Sequence, residues 1–218
     1  MSLKLTELRT KVQSHFKNSC IMKENLSHSF DVLETDSGAS LQKVELKKLP
    51  IENCWIFENE NGENELRSNG KKPEVTIIYL DKENKKLFVI MVELKSTLDV
   101  NKLIHCRDKF RETLSHLSVF LLINNHNEFY ADCTLYPVGL ICHQSEVIST
   151  SQSPLSNEIS LVDGYKNYLS NEERSFLVEL NTITLGRQYI KAIAIKNTNN
   201  ASNSMSIEFI QDVIRKVI

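Results

Sequence analysis

The sequence has no apolar run near the roughly 20 residues that a membrane-spanning helix needs, which argues against a chain that crosses a bilayer. Residues 2–16 mix polar and apolar side chains, so they lack the apolar stretch of a secretory signal peptide. We therefore expect a protein of the cytoplasm that does not associate with membranes. Its 218 residues suffice for one sizeable hydrophobic core.

The five cysteines lack the spacing of a disulfide framework or of a zinc site. The number is odd and no C-x-x-C pair occurs, which argues against a set of disulfides and against a structural zinc site. Most of these residues stand inside apolar stretches, so we interpret them as small core residues. They are Cys20, Cys54, Cys106, Cys133 and Cys142.

Neither sign of charge is in excess, since the net charge is −2 and the isoelectric point is near 6.3. A protein that coats nucleic acid through its overall charge is strongly basic, so that class is excluded. A local basic groove beside acidic metal ligands stays compatible with this balance. Hydrophobic residues make up 41% and charged residues 25%, as is typical of a globular protein.

Apolar periodicity predicts an α/β fold in which a mixed central sheet is flanked by helices. Helical spacing occurs over residues 3–16, 22–33, 100–121, 172–180 and 207–217. Strand-like runs occur over residues 39–49, 53–58, 75–80, 87–92 and 135–143, while residues 183–195 fit either element. We expect a core over residues 1–145, with an extension over residues 146–218 that packs on it and serves dimerisation or substrate binding.

Two apolar runs joined by a polar turn, residues 75–80 and 87–92, predict a β-hairpin covered on both faces. Glu74 stands at the start of the first strand and Glu93 at the end of the second. In an antiparallel hairpin these positions are neighbours, and the two-residue period of a strand places Lys95 on the same face as Glu93. The sequence therefore predicts that the two acids and the lysine meet at one edge of the sheet.

Two carboxylates and a lysine are side chains suited to the hydrolysis of a phosphodiester. Paired carboxylates bind Mg²⁺, with Mn²⁺ as an expected substitute, and the carbonyl of Leu94 is a further candidate ligand. The metal polarises the phosphate and lowers the pKa of a bound water. A lysine beside it orients that water or stabilises the transition state. We therefore predict a metal site at Glu74 and Glu93, with both acids and Lys95 as catalytic residues.

The segments KPEV (residues 72–75) and VELKS (residues 92–96) together resemble the signature of the PD-(D/E)XK nucleases, the superfamily with the restriction-endonuclease-like fold. The resemblance implies that Glu74 is the first acid, where Asp is commoner, that Glu93 is the second acid, and that Lys95 is the lysine. It also implies a Mg²⁺-dependent endonuclease that acts on DNA in restriction, repair or recombination.

The resemblance covers about residues 20–145, where the predicted order of helix, three strands, helix and strand is similar to the core of that superfamily. Several members add a metal-binding Glu from the first core helix. Glu24 and Glu34 are both candidates for that place, and the sequence does not choose between them.

The helix predicted over residues 100–121 carries basic side chains on the face opposite its apolar stripe, namely Lys102, Arg107, Lys109 and Arg111. We interpret some basic residues of this helix, and of the loop that precedes the hairpin, as candidate contacts to nucleic-acid phosphates. The alternative is an ordinary solvated helix face, which interleaved acids such as Asp108 favour. The candidates are Lys71, Lys72, Lys102 and Arg107.

Alternatives to an active DNA nuclease stay open. Glu93 and Lys95 are also compatible with a solvated ion pair at a strand end. The fold is compatible with a noncatalytic binding or assembly module, or with a nuclease that acts on RNA. A second acid-x-lysine triplet, Glu45-Leu46-Lys47, has no acid-bearing hairpin partner in the predicted elements. Since duplex cleavage needs two sites, we expect a homodimer, with the C-terminal amphipathic helix as candidate surface.

Overall fold

The computed structural model describes residues 28–50, 54–58, 72–81, 83–123, 133–147, 174–182, 186–199 and 201–218. The helix predicted over residues 3–16 lies outside the described residues, as do residues 59–71 and 148–173. The same holds for Cys20, Glu24 and Lys71.

Strands dominate the described part of the chain. They are β1 (Ser29–Leu33), β2 (Lys43–Lys47), β3 (Cys54–Glu58), β4 (Val75–Asp81), β5 (Lys86–Leu98), β6 (Thr134–Glu146), β7 (Ser175–Thr182), β8 (Gly186–Lys196) and β9 (Ser204–Glu208). Helix α1 (Val100–Ile123) connects β5 to β6. After β9 the chain forms a π-helical turn (Phe209–Ile214) and the short helix α2 (Arg215–Val217).

The described strands form two sheets, one of six strands in the order β3-β4-β5-β6-β8-β7 and one of three strands in the order β1-β2-β9. In the larger sheet, β3, β4 and β5 are antiparallel neighbours, whereas β5, β6 and β8 run parallel. The parallel step from β5 to β6 needs a long crossover, which α1 provides. The predicted α/β class and mixed sheet are therefore confirmed.

The six-stranded sheet is the middle layer of three. One face of β5, formed by Leu87, Val89 and Met91, packs against α1. The helix buries the predicted apolar stripe there, namely Leu103, Cys106, Phe110, Leu114 and Leu117. The other face packs against the three-stranded sheet and the C-terminal turn. Helices on both faces were expected; in the described residues α1 covers one face, and the three-stranded sheet with the short C-terminal helical segment covers the other.

A close contact fixes the distance between α1 and the middle layer. An added Cβ at Gly139 in β6 would lie 2.3 Å from the ring of Phe110 in α1, so only glycine fits there. The aromatic ring occupies the space that a side chain on β6 would take. This contact holds α1 close to β5, the strand that carries Glu93 and Lys95.

Several predicted helices are strands in the structure. Residues 29–33 and 175–180 belong to β1 and β7, because both segments bury alternate residues, as Phe30 and Val32 do. The ambiguous residues 183–195 largely form β8. Long-range pairing selects the strand here, since β7 and β8 pair with each other and β8 also pairs with β6.

The C-terminal third completes both sheets. β7 and β8 extend the larger sheet, and β9 pairs in parallel with β2. The expected boundary between residues 145 and 146 therefore falls inside β6. The helix predicted over residues 207–217 starts only at Phe209, and its apolar residues pack on the chain's own core. Among the described residues, no helix is long and apolar enough to span a membrane.

Candidate active site

Glu74 and Glu93 stand opposite each other across the hairpin of β4 and β5. The last paired residues are Val75 and Val92, so one further step places Glu74 across from Glu93. Both carboxylates lie on the face that α1 covers, and the two residues are only 4% and 0% exposed. Two carboxylates that are distant in sequence thus lie beside each other in the protein interior.

A backbone hydrogen bond ties the first acid to the second strand. The amide of Leu94 donates to Glu74 Oε2 at 3.0 Å, and this bond is buried. It holds the Glu74 carboxylate against the segment between Glu93 and Lys95. The position of Glu74 is therefore fixed by β5 as well as by its own strand.

Two lysines bind the same oxygen of Glu93. Lys95 contacts Glu93 Oε1 from the same strand, and Lys109 Nζ reaches this oxygen from α1 at 2.5 Å. The ammonium of Lys95 also donates to the carbonyl of Leu94 at 3.0 Å. The two lysine side chains are only 16% and 13% exposed, so the ion pairs lie largely out of water.

The electrostatics of Glu74 follow from its burial. Burial raises the pKa of Glu74 to about 9, and the negative charge of Glu93 acts in the same direction, while Lys109 and Lys95 oppose both. The other Glu93 oxygen, Oε2, is buried and accepts no hydrogen bond from a donor of the described residues. A hydrogen bond between the Glu74 and Glu93 side chains also raises the pKa of Glu74, so the pair favours the retention of a proton on Glu74.

The charge of Lys95 is maintained by its partners. Burial alone lowers the pKa of Lys95, but the carboxylate of Glu93 outweighs it, so the pKa is raised. Beneath the cluster, burial raises the pKa of the Cys106 thiol, and the charge of Glu93 adds to that effect. Cys106 is therefore a neutral core residue, in line with the interpretation of the cysteines.

The other predicted ligand lies elsewhere. Glu34 directly follows β1 of the three-stranded sheet. That sheet covers one face of the larger sheet, and Glu93 lies on the opposite face. Its carboxylate accepts a hydrogen bond from the amide of Asp36 at 3.3 Å, within its own turn. The structure thus does not bring Glu34 to the acid pair, and Glu24 lies outside the described residues.

The predicted phosphate contacts are only partly near the site. Lys72 is half-buried two residues before Glu74, at the entrance to β4. Lys102 pairs loosely with Asp99 at 3.8 Å, in the first turn of α1. Arg107 pairs with Asp108 at 2.6 Å, which agrees with the solvated-face alternative for that residue.

Lys109 contacts Glu93 in the structure, whereas the helical pattern predicts it on the solvated face of the helix. It stands three residues after Cys106 and next to Phe110, both fully buried. A position at the border of an apolar stripe is able to turn its side chain toward the sheet. The border position of Lys109 indicates that its side chain can face the sheet. The sequence of the helix does not indicate that Glu93 is the acceptor, because the tertiary fold determines where Glu93 lies.

The second acid-x-lysine triplet is a natural contrast. Glu45 and Lys47 lie on β2, and the acid opposite Glu45 is Asp31 of β1, a cross-strand partner that was not foreseen. These side chains are 32% to 46% exposed, and Lys47 lies 3.4 Å from Glu45. Burial, rather than the presence of a second acid, thus distinguishes the Glu93 triplet.

The site offers a small set of oxygen donors. The carboxylates of Glu74 and Glu93 and the carbonyl of Leu94 converge, but no group of three or more His, Cys, Asp or Glu side chains suited to a metal occurs among the described residues. Such a set suits Mg²⁺, which keeps several waters and needs only one or two carboxylates.

Comparison with protein-family models found no match, and comparisons with curated proteins and with solved structures found no significant match.

Proposed function

We propose that the chain is a metal-dependent endonuclease that hydrolyses phosphodiester bonds in DNA, with Glu74, Glu93 and Lys95 as its catalytic residues. One observation carries the proposal: two carboxylates from neighbouring strands lie buried on one face, with a lysine ammonium in contact with one of them. Buried acids that share a site are costly unless a cation or a proton compensates them. Such a cost is typical of functional sites.

The arrangement of elements supports the same proposal. Three antiparallel strands, a crossover helix and a parallel strand follow one another from β3 to β6. This order is similar to the restriction-endonuclease-like core, with the two acids and the lysine at the positions that the PD-(D/E)XK resemblance implies.

The residues present fit a divalent cation. Glu93 Oε2 is a buried oxygen without a donor among the described residues, and Glu74 lies beside it. We assign the two carboxylates and the carbonyl of Leu94 as ligands of Mg²⁺, for which Mn²⁺ would substitute. A bound Mg²⁺ supplies a Lewis acid for the phosphate and lowers the pKa of a coordinated water.

The protein's own groups then have separate tasks. Glu74 is held by the amide of Leu94 and stays in place as a ligand. Lys95 stands next to Glu93 and is charged, so its ammonium would orient the attacking water or stabilise the negative charge of the transition state. A buried lysine of fixed position serves this role without a large rearrangement of solvent.

DNA is the substrate that the family resemblance favours, and cleavage of both strands would need a homodimer. Cleavage of labelled duplex DNA, single-stranded DNA and RNA with Mg²⁺, with Mn²⁺ and with EDTA tests the proposal. We expect metal-dependent cleavage of DNA that falls at least about a hundredfold in Glu93→Gln and in Lys95→Met. The matched controls are Glu45→Gln and Lys47→Met, which alter the exposed copy of the triplet and should retain full activity.

A second candidate rests on a specific contact. The ammonium of Lys95 binds both Glu93 Oε1 and the carbonyl of Leu94, which are two of the assigned ligand atoms. A lysine in this position neutralises the site by itself, as expected of a noncatalytic binding or assembly module. Binding of DNA without cleavage, unchanged by divalent cations, would favour this module over the nuclease.

A further inference from the structure

Two ammonium groups lie against two of the groups assigned as metal ligands, the carboxylate of Glu93 and the carbonyl of Leu94. Lys95 contacts Glu93 Oε1 and lies 3.0 Å from the carbonyl oxygen of Leu94. Lys109 Nζ lies 2.5 Å from the same oxygen of Glu93. Since like charges repel strongly where water is scarce, a cation bound by the Glu93 carboxylate is destabilised by both ammonium groups until one of them moves away.

Lys109 is held less firmly at the site than Lys95, because Lys95 also donates a hydrogen bond to the carbonyl of Leu94. Lys109 belongs to α1, whereas Glu93 and Lys95 are two residues apart on β5. Its side chain is only 13% exposed, so little water can replace the Glu93 carboxylate, and a displaced ammonium needs another acceptor. A phosphate oxygen is an acceptor of the right charge for a lysine that leaves a carboxylate.

The balance of charge points in the same direction. In the ionised site, two carboxylates and two ammonium groups sum to zero formal charge. A divalent cation would raise this sum to two positive charges in a buried place, which is unfavourable. Phosphates of a nucleic acid supply negative charge where Lys109 would move.

We propose that Lys109 binds a phosphate of the nucleic acid and thereby makes metal binding at Glu74 and Glu93 dependent on that polymer. This inference rests on the proposed nuclease function. It adds a residue that contacts the substrate and an order of assembly: the metal site becomes complete only when the polymer is present. The protein would then bind divalent cations weakly by itself.

Mn²⁺ binding, measured from the loss of the free-ion signal in electron paramagnetic resonance, tests the inference without using activity. The protein is titrated alone and with a phosphorothioate DNA duplex that resists cleavage, and the Mn²⁺ bound by the duplex alone is subtracted. We expect the wild-type protein to bind Mn²⁺ at least about tenfold more tightly with DNA, within the usual range of coupling between two ligands.

Lys109→Met should bind Mn²⁺ alone about tenfold more tightly than the wild type and lose most of the gain from DNA. Lys109→Arg keeps the charge and should retain the dependence, and Lys47→Met serves as the control for a lost surface lysine. Equal Mn²⁺ affinity with and without DNA in the wild type would overturn this inference alone. No bound Mn²⁺ in any protein, with or without DNA, would overturn the metal assignment as well.

Discussion

Glu74 accepts a hydrogen bond from the amide of Leu94 at 3.0 Å. This bond anchors the Glu74 carboxylate beside Glu93, the residue that precedes Leu94 on β5. Few side chains would tolerate this place. It is 4% exposed and faces Glu93, which is completely buried. The consequence is a carboxyl group that is hard to ionise, and this property is measurable in solution.

The pH dependence of stability should report Glu74. Its pKa is raised by burial to about 9, above the value near 4.5 of an unperturbed carboxyl group, so the folded state keeps a proton that the unfolded state loses. Stability from this group is therefore greatest at low pH and is lost as pH rises between these two values.

Between pH 6.5 and 8 we expect the free energy of unfolding of the metal-free protein to fall by about 1 to 2 kcal/mol. Glu74→Gln has no proton to lose and should remove most of this slope. Urea unfolding at the two pH values measures both proteins. If the wild type and Glu74→Gln show the same slope, Glu74 is ionised in the folded protein and the electrostatic account of the pair is wrong.

Removal of the Glu93 charge should destabilise the protein. Glu93→Gln leaves the largely buried ammonium groups of Lys95 and Lys109 without their shared acceptor, a change that costs about 3 kcal/mol. Glu45→Gln removes the acceptor of an exposed lysine and should cost less than about 1 kcal/mol. Chemical denaturation without metal at pH 7 measures the difference, and similar losses in the two variants would contradict the burial of the Glu93 pairs.

The contact between Gly139 and Phe110 gives a prediction about the fold. A Cβ at position 139 would lie 2.3 Å from the Phe110 ring, so Gly139→Ala should cost about 1 to 3 kcal/mol. Gly38→Ala is the matched control, because its Cβ would meet Asp36 at an ordinary 3.4 Å. Phe110→Leu should relieve part of the clash, which a double-mutant cycle would detect. Purely additive losses would show that the two residues do not touch.

The hairpin at the site was predictable because its sequence determines it locally. The apolar runs within β4 and β5 are long and rich in β-branched residues. In the turn between them, the carboxylate of Asp81 accepts a hydrogen bond from the side-chain amide of Asn84. Antiparallel pairing then brings Glu74 next to Glu93 without any knowledge of the rest of the chain. The convergence of these acids with Lys95 follows from strand geometry alone.

Elements that depend on distant partners were not predictable. Residues 175–180 contain Phe176 and Val178 at strand spacing, but Leu177 and Leu180 blur that period, and pairing with β8 decides the outcome. The place of Lys109 likewise depends on how α1 packs over β5. The apolar period of α1 identifies the buried face of the helix. It does not identify the carboxylate that Lys109, at the border of that face, contacts.

The most direct test of the account is a crystal of the protein with a DNA duplex, soaked with Mn²⁺ and measured for anomalous scattering. The account predicts one strong anomalous peak between the carboxylates of Glu74 and Glu93, in contact with the carbonyl oxygen of Leu94, with Lys109 moved from Glu93 to a phosphate. A crystal that contains DNA and Mn²⁺ but shows no peak there, with Lys95 and Lys109 still bound to Glu93, would contradict the proposed metal-dependent nuclease.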